Sequence, residues 1–536
     1  MQKLLLLGDE AIAQAAIDAG ISGIYAYPGT PSTEITEYVQ HSKEAIEKNI
    51  HRTWAANEKT ALEGAIGMSY AGKRVMACMK HVGLNVAADP FMNVAITGAN
   101  GGLVIVVADD PSMHSSQDEQ DSRYFGRFSM IPVFEPINQQ EAYDMTRDAF
   151  DFSEKFEIPV MLRITTRLAH SRSGVQLGEK RKENELHLPK NLRQFVLLPS
   201  IARKQYNDLI EKQIGLEEAA ENSKYNKFVE GTDKSMGIIA SGIAYNYLME
   251  NYPDRKCPYP IVKISQYPIP RKMIKKLYNM CDSIMVMEEG YPIIEELLRG
   301  LLDDGKAIKG RLDGSLPRAG ELDPNSVAKA LGMTRYEGDA IPEIVKQRPP
   351  ALCVGCSHID SYNALNEAIK KYGDGRVFSD IGCYTLGALP PFNAINSCVD
   401  MGASITMAKG AADAGLVPAV AVIGDSTFTH SGITSLLDAI IDKSPITVLI
   451  LDNFTTGMTG GQDSHANGRI ESICLGLGVE REHLHIIKPL RKNHEENVEI
   501  MAKELAYNGV SVIIPTRECI QTLNRRMREK HKAKAE

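Results

Sequence analysis

Asp425 and Asn453 carry the chemistry most easily read from this chain. Gly424-Asp425-Ser426-Thr427 closes an apolar run over 417–423, and Asp452-Asn453 closes a second over 446–451. Between them, 431–443 places Ile433, Leu436, Leu437, Ile440 and Ile441 at helical spacing. Short continuous apolar runs of this kind predict buried strands. A strand–helix–strand crossover brings both strand ends to one edge of a parallel sheet. A carboxylate beside a neutral amide oxygen, followed by Thr455 and Gly460-Gly461-Gln462, suits Mg²⁺ carrying a diphosphate. A generic turn between strand and helix is the rival reading.

A second set of residues is sulfur-bearing. Cys353-Val354-Gly355-Cys356 is a C-x-x-C pair, Cys383 follows in Ser379-Asp380-Ile381-Gly382-Cys383, and Cys519 follows an apolar run over 510–514. A C-x-x-C pair alone leaves zinc, thiol redox and iron–sulfur open. Thiol redox is disfavoured, because the pair does not open a thioredoxin-like unit. Zinc and iron–sulfur sites want four ligands, and the last strand of a doubly wound domain can end beside the first motif. The remaining cysteines, Cys78, Cys257, Cys281, Cys398 and Cys474, read as small core residues.

The elements that must position these groups are α/β throughout. Residues 1–175 alternate helix and strand: 22–27 leads into Pro28-Gly29-Thr30-Pro31-Ser32, 55–71 is a helix of small residues, and 75–79 and 103–108 are buried strands. This predicts one doubly wound domain. Residues 176–233 are rich in Lys, Glu and Asn and predict a charged helical connector. A smaller α/β domain is expected over 234–310, a linker over 311–350, a third α/β domain over 351–520 and a basic tail over 521–536.

Composition sets outer limits. The 536 residues are 43% hydrophobic and 24% charged, as in soluble globular proteins. A net charge of −8 argues against nonspecific nucleic-acid binding. The four leucines at 4–7 are too few for a signal peptide, and no apolar run is long enough for membrane insertion. Nine cysteines, an odd number in a large chain, point to a reducing cytoplasm.

The stretch from Gly424 to Asn453 resembles the thiamine diphosphate fingerprint, with Ser426 in place of its third glycine and Asp452 in place of its first asparagine. That resemblance implies metal ligation by Asp425, Asn453 and the backbone carbonyl of Thr455. It also calls for a glutamate on a separate domain that hydrogen-bonds the pyrimidine and promotes proton loss from the thiazolium ring. Glu58, in Asn57-Glu58-Lys59, is the candidate; its plain rival is a first-turn glutamate favoured by the helix dipole.

Longer strings narrow the family. Tyr27-Pro28-Gly29-Thr30-Pro31-Ser32, Asn57-Glu58-Lys59, Met79-Lys80-His81-Val82-Gly83-Leu84-Asn85, Cys353-Val354-Gly355-Cys356-Ser357-His358, Gly424-Asp425-Ser426-Thr427-Phe428 and Met458-Thr459-Gly460 carry a resemblance that covers nearly the whole chain. They resemble the alpha subunits of indolepyruvate ferredoxin oxidoreductases, within the 2-oxoacid:ferredoxin oxidoreductase superfamily. The resemblance implies two doubly wound thiamine diphosphate domains, of pyrimidine and diphosphate type, plus a smaller transketolase C-terminal-like α/β domain. It implies cofactor contacts from Glu58, Gly424, Asp425, Ser426, Thr427, Asn453, Thr455, Gly457 and Met458. His81 and Thr30 would face the substrate. Cys353, Cys356, Cys383 and Cys519 would hold one [4Fe–4S] cluster.

The implied activity is oxidative decarboxylation of a 2-oxoacid, aryl by family expectation, to acyl-CoA and CO₂. Implied partners are coenzyme A, a beta subunit, and ferredoxin or a separate iron–sulfur or flavin electron-transfer subunit, in a dimer of heteromers. Alpha subunits of this family usually carry C-x₂-C-x₂-C-x₃-C-P runs for two further clusters. The sequence holds none, so those clusters are expected on another polypeptide. The rivals are a cluster-free thiamine decarboxylase and a structural or electron-relay subunit without turnover of its own.

Overall fold

The computed structural model describes every residue except 1–2, 253, 304, 337, 339, 347–349 and 536, and the backbone alone for 531–535. The chain forms two compact units, residues 1–339 and 340–536.

The first unit is built on a seven-stranded sheet. Val75–Lys80, Leu103–Asp109 and Val160–Thr165 are buried along their whole length, which is why apolar residues dominate them, with Arg163 the buried exception in the third. They lie at its centre, with Gly23–Ala26 and His51–Trp54 to one side and Val133–Phe134 to the other. All six run parallel. The seventh strand, Gln266–Tyr267, is antiparallel and comes from the following α/β segment. That segment has its own five-stranded sheet around Met236–Ser241.

The segments expected over 1–175 and 234–310 therefore fold within one unit. Pairing of Gln266–Tyr267 with Val133–Phe134 and two hydrophobic clusters spanning both sheets join them. Buried charge joins them too. Arg123 pairs with Asp121 at 2.5 Å and with Glu288 at 3.0 Å, and Arg163, held by Asp109 at 2.7 Å, donates to the Glu289 carbonyl at 2.9 Å.

Within 176–233, the long helix is Pro199–Glu221, started by proline at its first position and seated by Leu209, Leu216 and Ala220. Much of 311–350 is packed where a linker was expected. Leu316, Leu322 and Val327 are buried, and Asp323 caps the helix Pro324–Ala330 by accepting from the Ser326 N–H. The apolar residues there are too sparse to give a period, yet Leu316, Leu322 and Val327 each pack into the core.

The second unit is a six-stranded parallel sheet in the order Ser397–Cys398, Val377–Ser379, Ala419–Gly424, Ile446–Leu451, Ser511–Pro515, Leu484–Ile487. The strand order reverses between Val377–Ser379 and Ala419–Gly424. Ligands of open α/β sheets bind outside the carboxyl ends of strands at such a switch point. Gly382-Cys383 and Gly424-Asp425 leave the sheet there. No described helix is long and apolar enough to cross a membrane.

Candidate functional site

In the second unit the paired strands Ala419–Gly424 and Ile446–Leu451 align Gly424 with Leu451, so Asp425 and Asp452-Asn453 emerge side by side. A side chain at Gly424 would collide with the Tyr384 ring at 2.5 Å, which explains glycine there. Asp425 is buried; its Oδ1 accepts the Ser426 N–H at 2.7 Å, while its Oδ2 has no hydrogen-bond partner. The same holds for Oδ1 of Asp452. Burial, with repulsion from Asp452 next, pushes the Asp425 carboxyl up to about 7; burial pushes Asp452 up to about 6. Two neighbouring buried carboxylates with orphaned oxygens need a cation or a proton, and Asp425 with the Asn453 amide and Thr455 carbonyl beside it is a donor set that fits Mg²⁺.

Asn453 is oriented from two sides. Its Oδ1 accepts the Thr455 N–H at 3.1 Å and its amide nitrogen donates to Nε2 of His358 at 3.4 Å. Burial pushes the His358 imidazole down to about 4, which keeps it neutral and able to accept. Ser426 and Thr456 share a hydroxyl contact of 2.8 Å, and the Thr427 hydroxyl donates to the Ile381 carbonyl at 3.2 Å. Gly457 starts a short 3₁₀ turn, and Met458 within it is 51% exposed.

The four cysteines converge. A methyl group at Gly457 would lie 3.3 Å from the Cys383 sulfur and 4.0 Å from that of Cys519. Burial pushes the Cys383 thiol up to about 12, and Cys356, Cys519 and Cys353 add to the rise by proximity. Cys519 reaches this place through the sheet. The pairing of Ile446–Leu451 with Ser511–Pro515 continues as the Arg517 N–H bonds the Asp452 carbonyl at 3.0 Å and the Cys519 N–H the Asn453 carbonyl at 3.1 Å. Arg517 also pairs with Asp360, on the helix that follows Cys356, at 3.0 Å. Four crowded thiols on one loop cluster fit an iron–sulfur ligand set.

In the first unit the remaining candidates gather at the carboxyl edge of the seven-stranded sheet. Glu58 opens the helix Glu58–Tyr70 and is buried; Asn57 caps it by accepting the Thr60 N–H at 2.8 Å. A methyl on Gly83 would sit 2.6 Å from Oε1 of Glu58, so glycine leaves that carboxylate its place. His81 is buried, with Nε2 at 3.3 Å from both the carbonyl and a carboxylate oxygen of Asp118 and Nδ1 without a hydrogen-bond partner. The Thr30 carbonyl accepts from the Ser115 hydroxyl at 3.0 Å, and the Ser115 carbonyl accepts from Lys80 at 2.9 Å. Burial lowers the Lys80 ammonium, against the pull of Asp110, Glu58 and Asp118.

Lys80, Ser115 and Asp118 are functional candidates that sequence reasoning missed. A lysine ending a buried strand beside His81 was the available signal for the first. His114, in the same loop, turns to Glu321 at 3.2 Å.

This fold and these two clusters define a thiamine-diphosphate-type α/β protein. Residues 14–234 match the family model "Pyruvate flavodoxin/ferredoxin oxidoreductase, thiamine diP-bdg", and 380–513 match "Thiamine pyrophosphate enzyme, C-terminal TPP binding domain". The chain is 38% identical to the indolepyruvate oxidoreductase subunit IorA of Archaeoglobus fulgidus, over 99% of this chain and 89% of that one. It is 38% identical to the corresponding subunit of Methanothermobacter marburgensis, over 97% and 87%. A 2-oxoglutarate synthase subunit KorA of Methanocaldococcus jannaschii is 28% identical over 33% of this chain and 50% of its own. The chain belongs to the family of indolepyruvate oxidoreductase IorA subunits, within the 2-oxoacid oxidoreductases.

Proposed function

We propose that this chain is the thiamine-diphosphate-bearing subunit of an enzyme that oxidatively decarboxylates an aryl 2-oxoacid, such as indolepyruvate, to acyl-CoA and CO₂. The observation that carries the reading is the adjacency, in one unit, of the orphaned Asp425 and Asp452 oxygens to four converging cysteines. A non-oxidative decarboxylase has no use for the second group.

Thiamine diphosphate, when bound, supplies the electron sink that lets a 2-oxoacid lose CO₂. Asp425, Asn453 and the Thr455 carbonyl would hold Mg²⁺ and through it the diphosphate, with Gly424, Ser426, Thr427, Gly457 and Met458 lining the cradle. Cys353, Cys356, Cys383 and Cys519 would hold one [4Fe–4S] cluster. Glu58 would hold the proton exchanged with the pyrimidine, in a buried place that keeps water away. His81 and Lys80 offer nitrogen donors for the substrate's oxygens, beside Thr30. The exposed Cys353 edge gives electrons a way out to ferredoxin or a partner electron-transfer subunit, and a beta subunit completes the enzyme.

The test is anaerobic turnover of a panel of 2-oxoacids by the co-purified complex, with coenzyme A and a dye acceptor. Dye reduction with aryl 2-oxoacids is expected; none with any aryl or branched 2-oxoacid overturns the reading. Glu58→Gln should abolish reduction, by roughly a hundredfold or more, and leave the visible iron–sulfur spectrum intact.

A further inference from the structure

Asp9, Glu34 and His170 form a cluster to which the proposed reaction assigns no role. One ligand atom from each lies within 4.8 Å of the others. They come from three elements of the first unit: the first turn of the helix Gly8–Asp18, the first turn of Thr33–His41, and the end of Thr166–His170. Two carboxylates at helix N-termini gain from the partial positive charge there. That gain is too small to offset what Asp9 gives up.

Asp9 is fully buried, and neither of its carboxylate oxygens accepts a hydrogen bond. The buried Oε2 of Glu34 faces Nε2 of His170 at 3.5 Å, a pairing that lowers the Glu34 carboxyl and raises the His170 imidazole, so an entering cation has to displace the imidazole proton. Burial first, then the like charges of Glu34 and Glu10 and the close approach of the Glu34 carboxyl, raise the Asp9 carboxyl well above its ordinary value. Glu10 is directed elsewhere, accepting the Leu7 N–H at 2.8 Å and facing Arg172. Unpaired buried carboxylates are costly unless neutralised. The cluster has a closed floor at Asp9 and an open mouth, since His170 is exposed and Glu34 half-buried. That is the arrangement of a three-ligand cation site with an entry path and room for water.

We propose that Asp9, Glu34 and His170 bind one divalent transition-metal ion, with an imidazole nitrogen and two carboxylates as ligands. Nitrogen with oxygen donors selects zinc, manganese or ferrous iron over magnesium or calcium. The ion would clamp the helices Gly8–Asp18 and Thr33–His41 to the end of the helix Thr166–His170, which follows the strand Val160–Thr165. It would thereby fix the loop 27–32, which carries Thr30 immediately before Glu34's helix. All three ligands belong to the first unit, whereas Asp425 belongs to the second.

The test is equilibrium dialysis of the purified complex against Zn²⁺, with Mg²⁺ and thiamine diphosphate saturating so that the diphosphate cradle is filled. The comparison is wild type against Asp9→Asn and His170→Gln. Wild type should bind one equivalent of Zn²⁺ more than His170→Gln, and Asp9→Asn should bind it at least tenfold more weakly. His170 is exposed, so its variant should fold even if the buried Asp9 variant does not. Equal stoichiometry and affinity in wild type and His170→Gln overturns the proposal. So does a wild type that takes up no Zn²⁺ at this position, in which case a proton shared between Asp9 and Glu34 neutralises the pair.

Discussion

At the scale of single residues, the site depends on what is left unpaired. Asp425 and Asp452 each keep one buried oxygen without a hydrogen bond, and each repels the other's charge. A cation bound at Asp425 must displace the proton that burial and the neighbouring Asp452 hold there up to about 7, and would lower the Asp452 carboxyl, up at about 6, by proximity. Binding of Mg²⁺–thiamine diphosphate should therefore strengthen as pH rises from about 6 to 8, with proton release. In Asp452→Asn the repulsion is gone, so the midpoint of that profile should move down. Calorimetric titration in buffers of differing ionisation enthalpy measures both effects. Gly83 makes the complementary point for Glu58. In Gly83→Ala the added methyl would meet the flexible end of Glu58, and the carboxylate moves. Turnover should fall roughly tenfold to a hundredfold while Tm changes little; an unchanged kcat would show that the place of this carboxylate does not matter.

At the scale of elements, caps and strand ends set the positions. The Glu58 helix starts where it does because Asn57 is extended and its side chain satisfies the Thr60 N–H. Asn57→Ala should cost about 1 kcal/mol of stability, read from denaturant unfolding, with a larger proportional loss in turnover because the helix start frays at Glu58. On the sulfur side, Cys519 is placed by continuation of a parallel strand pair past the end of the sheet. The strand supplies that position without any local motif around Cys519.

At the scale of the whole chain, buried charge holds the larger unit together. Glu289 is fully buried, accepts the Leu322 N–H at 3.0 Å, and has an Oε1 without a hydrogen-bond partner. Burial pushes its carboxyl up to about 7 from an ordinary 4.5. The native state therefore keeps a proton that the unfolded chain sheds near 4.5. Its contribution is fully present below that pH and is lost as pH rises through 7. Glu289→Gln should flatten the decline in Tm between about pH 5 and 7 by roughly a few degrees. A decline as steep as wild type would show that Glu289 is ionised in the fold. Arg123 and Arg163 act in the other sense, since they hold Asp121 well ionised against burial.

What the sequence determined alone was whatever depends on neighbours along the chain. Apolar runs marked the buried strands, Gly-Asp and Asp-Asn at their ends marked the residues proposed for the diphosphate cradle, and the C-x-x-C pair marked the first two of the cysteines proposed as cluster ligands. Cys519 was expected near that pair, because the last strand of a doubly wound domain can end beside the first motif, and it lies near Cys383. The tertiary structure decided what depends on contact between remote segments. It brought Gln266–Tyr267 to the edge of another sheet, buried Leu316 and Leu322 in a segment expected to be a linker, and set Arg123 and Arg163 among acids far away in sequence. It turned His358 toward Asn453 and gathered Asp9, Glu34 and His170. Hydrophobic period records which side of an element is buried. It carries no record of which partner buries it, and a polar residue's role is fixed only when that partner is known.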